Sequence, residues 1–259
     1  FKDCYNSVIA QTYQNWEVII VDDCSTDSSV DQMKELIGND PRFRIYQNTE
    51  NKGCGFTKRR LVELATGEIC GFLDPDDAIV ENAVSIMIQN HEKNPKISIV
   101  YSDCIFCDAD LAKIHDRKTK QAPNSDPYFT NYYAEIFAWT TFNKKFYDKT
   151  SGINPSLKRA VDQDLVMRLY EVGEVLHLPE CLYRYRQHEG GISTMANQGK
   201  AKYWHWVVIM DAAARRGVDY EMFFEDHVLK SVREKDLEKE ISRYNRSFIF
   251  KVLRKLKFF

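Results

Sequence analysis

The stretch Ile69-Cys70-Gly71-Phe72-Leu73-Asp74-Pro75-Asp76-Asp77 decides the fold that we predict for this chain of 259 residues. Its first five residues indicate a buried strand of a parallel sheet, and Pro75 ends that strand because it lacks a backbone N–H. Three carboxylates then follow the carboxyl end of the strand, which is where open α/β sheets bind their ligands. The stretch therefore predicts both a sheet and a site.

The three carboxylates admit two interpretations. Neighbouring carboxylates raise each other's pKa unless a cation joins them. A hard divalent ion such as Mg²⁺ or Mn²⁺ takes oxygen ligands and also binds substrate phosphates, so it would relieve that repulsion. The alternative is a polar turn in which an aspartate caps a helix starting near Ala78. The stretch alone leaves both open.

Helices and strands alternate on either side of this stretch. Apolar runs predict strands at 17–21, 43–46 and 69–73, each preceded by a helical pattern. Such alternation is typical of a parallel sheet with right-handed crossovers. Further along, we predict a helix at about 79–93, one long strand or a bent pair over 97–107, and a polar loop over 108–127. The fold class is therefore α/β, with a mostly parallel sheet flanked by helices.

Two other polar groups lie close to predicted strand ends. Asp22 and Asp23 follow the first strand, where a carboxylate can accept a hydrogen bond from a base N–H or a ribose hydroxyl. Lys58, Arg59 and Arg60 open the helix before Ile69. Such a triplet forms either a solvated face or a group that reaches phosphates.

The second half of the chain offers two more candidates. Asp164 and Arg168 have the spacing of an ion pair on one helix, so we expect Asp164 to be structural. Asp162, in the first turn, reads on its own as a cap or a helix-dipole partner. Two short strands are predicted at 175–178 and 181–186. They end in a glycine-containing loop with Arg186 and His188, which form either a surface pair or part of a site.

Composition narrows the class of protein. The net charge of −2 gives no global field that would favour nucleic acid. The seven cysteines are odd in number and scattered, which favours a reducing compartment, and Cys104 and Cys107 read as ordinary small residues. We find no signal peptide and no apolar run of about 18 residues, so we expect a cytoplasmic protein.

From about residue 197 the pattern becomes entirely helical. The segment 242–259 is basic, contains aromatic residues and lacks acids. Such a segment is typical of an amphipathic helix on a membrane surface. A terminal helix docked on the domain, or a basic tail, fits the same composition.

Four patches in order resemble glycosyltransferase family 2, the inverting enzymes of GT-A fold that use nucleotide-diphosphate sugars. The first is Gln11-Thr12-Tyr13 with Val18 to Asp27, similar to Q-T-Y…I-V-D-D-G-S-T-D with Cys24 in place of glycine. The second is Asn51-Lys52-Gly53 with Ala65 to Glu68 and Phe72 to Asp77, which is similar to N-x-G…A-x-G-E…F-L-D-x-D-D. The third is Asp162 to Arg168, which is similar to E-D-x-x-L-x-x-R. The fourth is Tyr185 to Ser193, which is similar to Y-R-x-H…S. The resemblance covers about residues 3–195.

The resemblance implies a role for each candidate residue. Asp22 or Asp23 would contact the uracil, Asp74 the ribose, and Asp76 would bind Mn²⁺ or Mg²⁺. Asp162 would deprotonate the acceptor hydroxyl. The remaining candidates would stabilise the nucleotide and the departing diphosphate, namely Lys58, Arg186 and His188. We therefore expect a catalytic domain at 1–196, with a nucleotide-sugar half at 1–107 and an acceptor half at 108–196, followed by a helical extension at 197–259.

The chain departs from the family pattern in three places. The family's first strand and its P-x-Y-N loop are missing from the chain, Thr57-Lys58-Arg59 replaces A-R-N, and Val161 replaces the glutamate before the base. We expect these changes to affect donor affinity, the role of the cation and the orientation of the base, respectively.

These observations predict a metal-dependent, inverting transferase of cell-surface polysaccharide synthesis. It would move a sugar from a UDP-sugar to a saccharide or lipid-linked acceptor, in contact with the inner face of the cytoplasmic membrane through 242–259. A degenerate module that binds a nucleotide sugar without turnover is the main alternative. A nucleotidyltransferase is a third, although the chain shows no glycine-rich phosphate loop.

Overall fold

The computed structural model describes residues 1–187, 198–219, 221–222, 225 and 230–246. The chain divides into two units, Phe1–Ala212 and Ala213–Phe259. All strands of the described residues lie in the first unit. The domain boundary expected near residue 196 stays a prediction.

The first unit begins with alternating helices and strands. These are α1 (Lys2–Ile9), β1 (Val18–Asp22), α2 (Ser29–Ile37), β2 (Phe43–Gln47) and α3 (Cys54–Leu64). The strands β1 and β2 pair in parallel, with Val18 opposite Phe43, and form a separate two-stranded sheet. The alternation predicted from the sequence is confirmed here.

A six-stranded sheet follows. Its strands are β3 (Ile69–Gly71), β4 (Ala78–Ile79), β5 (Ile97–Cys107), β6 (Lys113–Arg117), β7 (Thr140–Asn143) and β8 (Glu174–Arg186). They are ordered β3-β7-β5-β8-β4, and β6 pairs with β5. The α/β fold with flanking helices is confirmed, but this sheet is mixed rather than mostly parallel, because only β5 and β8 pair in parallel.

The direction of β7 explains the difference. This strand lies between β3 and β5 and runs antiparallel to both. The strands β3 and β5 thus point the same way, as the alternation predicted, but they are not neighbours. β3 is also shorter than expected, with three partly exposed or exposed residues, because the chain leaves the sheet at Phe72.

Three element predictions are corrected. The loop expected over 108–127 contains β6, which forms a hairpin with β5. Asp108 stabilises its turn by accepting hydrogen bonds from the N–H groups of Asp110 and Ala112, each at 2.9 Å. The helix expected from about 79 is α4 (Ala83–Lys93), because Ala78 and Ile79 pair with β8 instead. The two strands expected over 175–186 are the single strand β8, which has irregular register against β5.

The remaining helices are α5 (Lys144–Tyr147), α6 (Val161–Tyr170), α7 (Gln198–Arg216) and, in the second unit, α8 (Lys230–Arg246). Successive residues of β5 point to opposite faces of the sheet. Tyr101 packs into a cluster with Phe142 and Leu169 on one face, and Val100 packs with Met87 and Trp139 on the other. None of the helices in the described ranges combines the length and apolar character needed to cross a bilayer.

Candidate functional site

The start of α3 packs closely against the loop before α6. The Gly55 N–H donates to the Leu157 carbonyl at 2.9 Å. A Cβ atom at Gly55 would lie 2.6 Å from the carbonyl oxygens of both Asn154 and Leu157, so only glycine permits this approach. As a result, Lys58, which lies about one turn further along α3, faces the first turn of α6.

Lys58 and Asp162 form an ion pair across this contact. The Lys58 Nζ donates to Asp162 Oδ1 at 2.5 Å, and it lies 5.0 Å from the centre of the Phe72 ring. Burial lowers the pKa of the Lys58 ammonium, but the carboxylates of Asp162 and Asp74 outweigh that effect and raise it above its ordinary value. The Lys58 ammonium is therefore a positive charge that interacts with both carboxylates.

Asp162 projects away from the core at the start of α6. Its neighbours Val161 and Gln163 are buried, whereas the Asp162 side chain is 73% exposed. Gln163 fixes this orientation, because its Nε2 donates to the Thr130 carbonyl at 3.0 Å and its Oε1 contacts the ring of His205. Asp162 is thus an accessible carboxylate on a rigid helix, as a general base requires.

The Asp74–Asp77 segment is a turn held against β8. The Asp77 N–H donates to the Asp74 carbonyl at 3.1 Å. The buried Asp77 carboxylate accepts hydrogen bonds from the Tyr183 hydroxyl and from the Arg186 N–H, each at 2.7 Å. Burial raises the pKa of Asp77 to about 6 in spite of these two bonds. Asp77 therefore anchors the turn and does not face solvent.

Asp74 lies at the exposed side of the same turn. The surrounding protein partly desolvates its carboxylate and raises its pKa; Lys58 opposes this effect, and Asp162 and Asp76 add to it. Asp74 is thus electrostatically coupled to both Asp162 and Asp76. Asp74 and Asp162 lie about 90 residues apart in the sequence, and both interact with Lys58.

Asp76, with Asp74 near it in the same turn, stays the predicted ligand of a divalent cation. Asp77 is already engaged with β8, and no group of three or more acidic, histidine or cysteine side chains with metal-binding geometry occurs among the described residues. Mg²⁺ and Mn²⁺ often use only one or two protein carboxylates and take their other oxygens from water and substrate phosphates. One or two aspartates at this turn fit that demand.

Asp22 and Asp23 both support the loops around β1. Asp23 accepts hydrogen bonds from the Asn48 amide at 2.7 Å and from the backbone N–H groups of Lys52 and Gly53 at 2.8 and 2.7 Å. These bonds outweigh desolvation and lower the pKa of Asp23. Asp22 accepts from the backbone and hydroxyl of Ser25 at 3.0 and 2.5 Å. Whether either contacts a base stays a prediction.

Arg186 lies beside the acidic turn and binds protein groups. Its Nε donates to the Asp76 carbonyl at 2.5 Å, its Nη2 to Asp3 at 2.8 Å, and its Nη1 to the Ala109 carbonyl. It thus joins α1, the turn and the β5–β6 hairpin, and its expected role at the diphosphate stays a prediction. His188 lies outside the described residues.

Three residues of the site escaped the sequence interpretation. Gly55 permits the α3–α6 contact, Tyr183 secures Asp77, and Glu17 accepts hydrogen bonds from the N–H groups of Thr66 and Gly67 before β3. Gly55 is a glycine near the start of a helix and could have been noticed. Tyr183 and Glu17 act across 106 and about 50 positions, and no local pattern shows such pairs.

The family model described as glycosyl transferase family 2 matches residues 1–152. The hyaluronan synthase of Pasteurella multocida is 29% identical over 217 residues, which are 84% of this chain and 22% of that protein. The chondroitin synthase of Escherichia coli is 27% identical over 83% of this chain and 31% of that protein. The chain therefore spans less than a third of the length of these two relatives.

A relative of more similar length is the putative colanic acid biosynthesis glycosyl transferase WcaA of Escherichia coli K12. It is 28% identical over 77% of this chain and 72% of that protein.

Two solved structures share the fold. One is TarS residues 1–349 of S. aureus in complex with UDP-GlcNAc, with a TM-score of 0.65 and 18% identity over 86% of this chain and 65% of that one. The other is a mannosyltransferase of Pyrobaculum calidifontis with GDP-Man and Mn²⁺, with a TM-score of 0.61 and 16% identity over 83% and 60%. The GT-A type fold is thereby confirmed. The chain belongs to glycosyl transferase family 2.

Proposed function

We propose that this chain is a metal-dependent, inverting glycosyltransferase that moves a sugar from a UDP-sugar to a saccharide acceptor. The observation that carries this proposal is the position of Lys58. Its ammonium pairs with Asp162 and also opposes the rise that desolvation causes in the pKa of Asp74. A candidate base and a candidate donor-binding carboxylate thus belong to one electrostatic unit.

The proposed chemistry is a single in-line displacement at the anomeric carbon. Asp162 accepts the proton of the acceptor hydroxyl while the hydroxyl oxygen forms the new glycosidic bond and the bond to the diphosphate breaks. The exposed Asp162 carboxylate leaves space for an acceptor, and Lys58 holds it in one orientation. We assign Asp74 and Asp76 to the sugar donor, with Asp74 at its ribose.

Asp76, with Asp74 beside it, would hold the divalent cation. A bound Mg²⁺ or Mn²⁺ supplies charge stabilisation for the departing diphosphate. Asp22 or Asp23 is assigned to the uracil, at the carboxyl end of β1. Arg186 donates to the Asp76 carbonyl, so its guanidinium places a positive charge beside this turn.

The relatives support the donor and the process. TarS has been crystallised with UDP and with UDP-GlcNAc, which favours a uridine donor, and the Pyrobaculum mannosyltransferase with Mn²⁺ supports a divalent cation. The synthases of hyaluronan and chondroitin and the colanic acid transferase support a role in polysaccharide synthesis. A lipid-linked acceptor at the inner membrane face would suit the basic segment 242–259, of which residues 247–259 lie outside the described part.

Calorimetric titration of UDP, with and without Mn²⁺ and with GDP as the competing nucleotide, tests this function. We expect UDP to bind only with Mn²⁺ and in preference to GDP. Asp76→Ala should abolish the Mn²⁺-dependent part. Asp116→Ala, an exposed aspartate of β6, is the matched control and should bind like the parent chain.

The outcomes separate the proposal from its alternatives. Failure of UDP to bind under either condition would contradict the assignment of the donor site. UDP binding without any hydrolysis or transfer of a UDP-sugar, over a panel of sugars and acceptors, would favour a binding module without turnover.

A further inference from the structure

A cavity is formed by the loop before α6 and the start of α7, and its residues differ in charge from those of the acidic turn. It has a volume of about 580 Å³, which falls within the roughly 300–1,000 Å³ of typical ligand pockets. Its lining comes from the loop before α6 and the first two turns of α7, namely Lys158, Arg159, Gly199, Lys200, Tyr203 and Trp204. None of the described residues that line it is acidic.

Two cations of this cavity are available to a ligand. Lys158 and Lys200 are exposed, and neither pairs with a carboxylate in the part of the chain that the structure describes. Gly199 lies in the first turn of α7, a helix of 19 residues, so its backbone N–H belongs to the positive end of that helix. Three basic side chains and a helix start therefore favour an anionic group here.

The aromatic residues add a second requirement. The Tyr203 side chain is 63% exposed, and its ring lies edge-on to Trp204, with 5.4 Å between the ring centres. Trp204 packs against the core of the first unit, so the exposed Tyr203 ring has one anchored neighbour and forms an apolar surface at the cavity. The C–H face of a pyranose ring is apolar and flat enough to stack on such a surface. An inorganic anion or a linear polyol phosphate has no such face.

The cavity also has the right place for an acceptor. Lys158 and Arg159 precede Asp162 by four and three residues, on the loop that contacts Gly55. His205, one residue after Trp204, contacts Gln163, which follows Asp162. The cavity and the proposed base are therefore built on the same two elements, the 154–160 loop with α6 and the start of α7.

We propose that this cavity binds an acidic saccharide, with Lys158 and Lys200 binding the carboxylate of a uronate residue and Tyr203 stacking on a pyranose ring. The saccharide is the acceptor, and in that respect the inference rests on the proposed function. The site selects acceptors by charge, whereas the acidic turn selects the donor.

Binding of a glucuronate-containing tetrasaccharide and of its carboxyl-reduced form, measured by calorimetry with and without UDP and Mn²⁺, tests the inference. We expect the acidic form to bind at least tenfold more tightly, with a preference that falls as salt is raised. The double variant Lys158→Gln/Lys200→Gln should lose roughly five- to thirtyfold in affinity for the acidic form only. Tyr203→Ala should weaken both forms.

Lys202→Gln is the matched control, because Lys202 is exposed on α7 but does not line the cavity. Equal binding of the acidic and reduced saccharides, or an equal effect of the control, would overturn the inference. Tighter binding of a glycerol phosphate oligomer than of the acidic saccharide would overturn it too. UDP titration of the same samples reports on the proposed function separately, since neither lysine touches the acidic turn.

Discussion

Asp162 and Asp164 lie two positions apart on α6 and have opposite surroundings. The Asp162 side chain is 73% exposed and pairs with Lys58. The Asp164 side chain is 1% exposed, pairs with Arg168 at 2.8 Å and accepts the Asn154 N–H at 2.9 Å. Arg168 in turn donates to Ser151 and Asp211, at 2.6 and 2.9 Å. The structural role expected for Asp164 from its spacing to Arg168 is thus confirmed.

This contrast predicts that Asp→Asn at position 162 lowers activity but not stability, and that Asp→Asn at position 164 lowers stability. Asp162→Asn should lower sugar transfer by roughly 10²- to 10⁴-fold, since it removes the proposed base, and should leave the free energy of unfolding nearly unchanged. Asp164→Asn should lower the free energy of unfolding by about 1–3 kcal/mol, because it removes one of the two carboxylates that pair with the buried Arg168 guanidinium and keeps only the Asp211 pair. Urea unfolding and a transfer assay on both variants would check this. Full transfer by Asp162→Asn would show that the base is another residue.

Lys58→Gln tests the link between base and donor turn. The substitution removes the cation that opposes the rise in the pKa of Asp74, so we expect the Asp74 carboxyl to stay protonated to a higher pH. We expect the acid limb of the pH profile of kcat/KM to move to higher pH, and Lys58→Arg to restore it in part. Arg59→Gln serves as the control, because Arg59 pairs with Glu63 on the same helix and donates to the Ser151 carbonyl. A lower rate with an unshifted profile would indicate a purely structural Lys58.

Gly55→Ala tests the packing that brings α3 to α6. The added Cβ would meet two carbonyl oxygens at 2.6 Å, and backbone atoms cannot turn aside as side chains can. We expect the free energy of unfolding to fall by about 1–3 kcal/mol and transfer to fall with it. Gly199→Ala is the control in a helix with open space around the new atom, and it should not destabilise the protein. Comparable stability of both variants would contradict the close contact.

His91 predicts a pH dependence of stability. The residue is buried on α4, its Nε2 is hydrogen-bonded to the Thr141 hydroxyl at 3.0 Å, and burial lowers its pKa from 6.5 to about 4. His91 binds a proton at a higher pH in the unfolded chain than in the folded chain. The contribution of the neutral, buried His91 to the free energy of unfolding is therefore complete above pH 6.5. It is lost as the pH falls from 6.5 towards 4, by about 3 kcal/mol in total.

The difference in unfolding free energy between the parent chain and His91→Gln, measured from pH 7.5 to 4.5, isolates this effect. That difference should shrink as the pH falls. His115→Gln, at an exposed position of β6, controls for the loss of one imidazole. A control that reproduced the same trend would rule out burial of His91 as its cause.

The sequence predicted the first half of the fold well because its signals are local. Apolar runs predicted β1 and β2 to within one residue at each end, and the acidic strand ends supplied the candidate site residues. The mixed sheet was missed because β7 enters between β3 and β5 from more than 30 residues away, with four residues and no distinctive pattern. The hairpin of β6 was missed because its five residues are all polar except Ile114, as suits an exposed edge strand.

The candidate acids could be chosen from the sequence, whereas the contacts that hold them could not. Asp74, Asp76 and Asp162 follow from motif spacing, and Asp164 from its distance to Arg168. The role of Asp77 depends on Tyr183, and that of Lys58 on the close approach at Gly55. Both depend on tertiary contacts, which one sequence without related sequences does not reveal.

The cavity at the start of α7 has a consequence for how such enzymes diverge. Lys158, Lys200 and Tyr203 are exposed and belong to neither apolar cluster of the sheet. Replacing them changes the charge and shape of a surface without removing a core contact, so mutation can explore new acceptors at little cost in folding. Gly55, Lys58 and Asp162 have no such freedom. Among related enzymes, sequence divergence would therefore change the proposed acceptor specificity more readily than the residues proposed for the reaction.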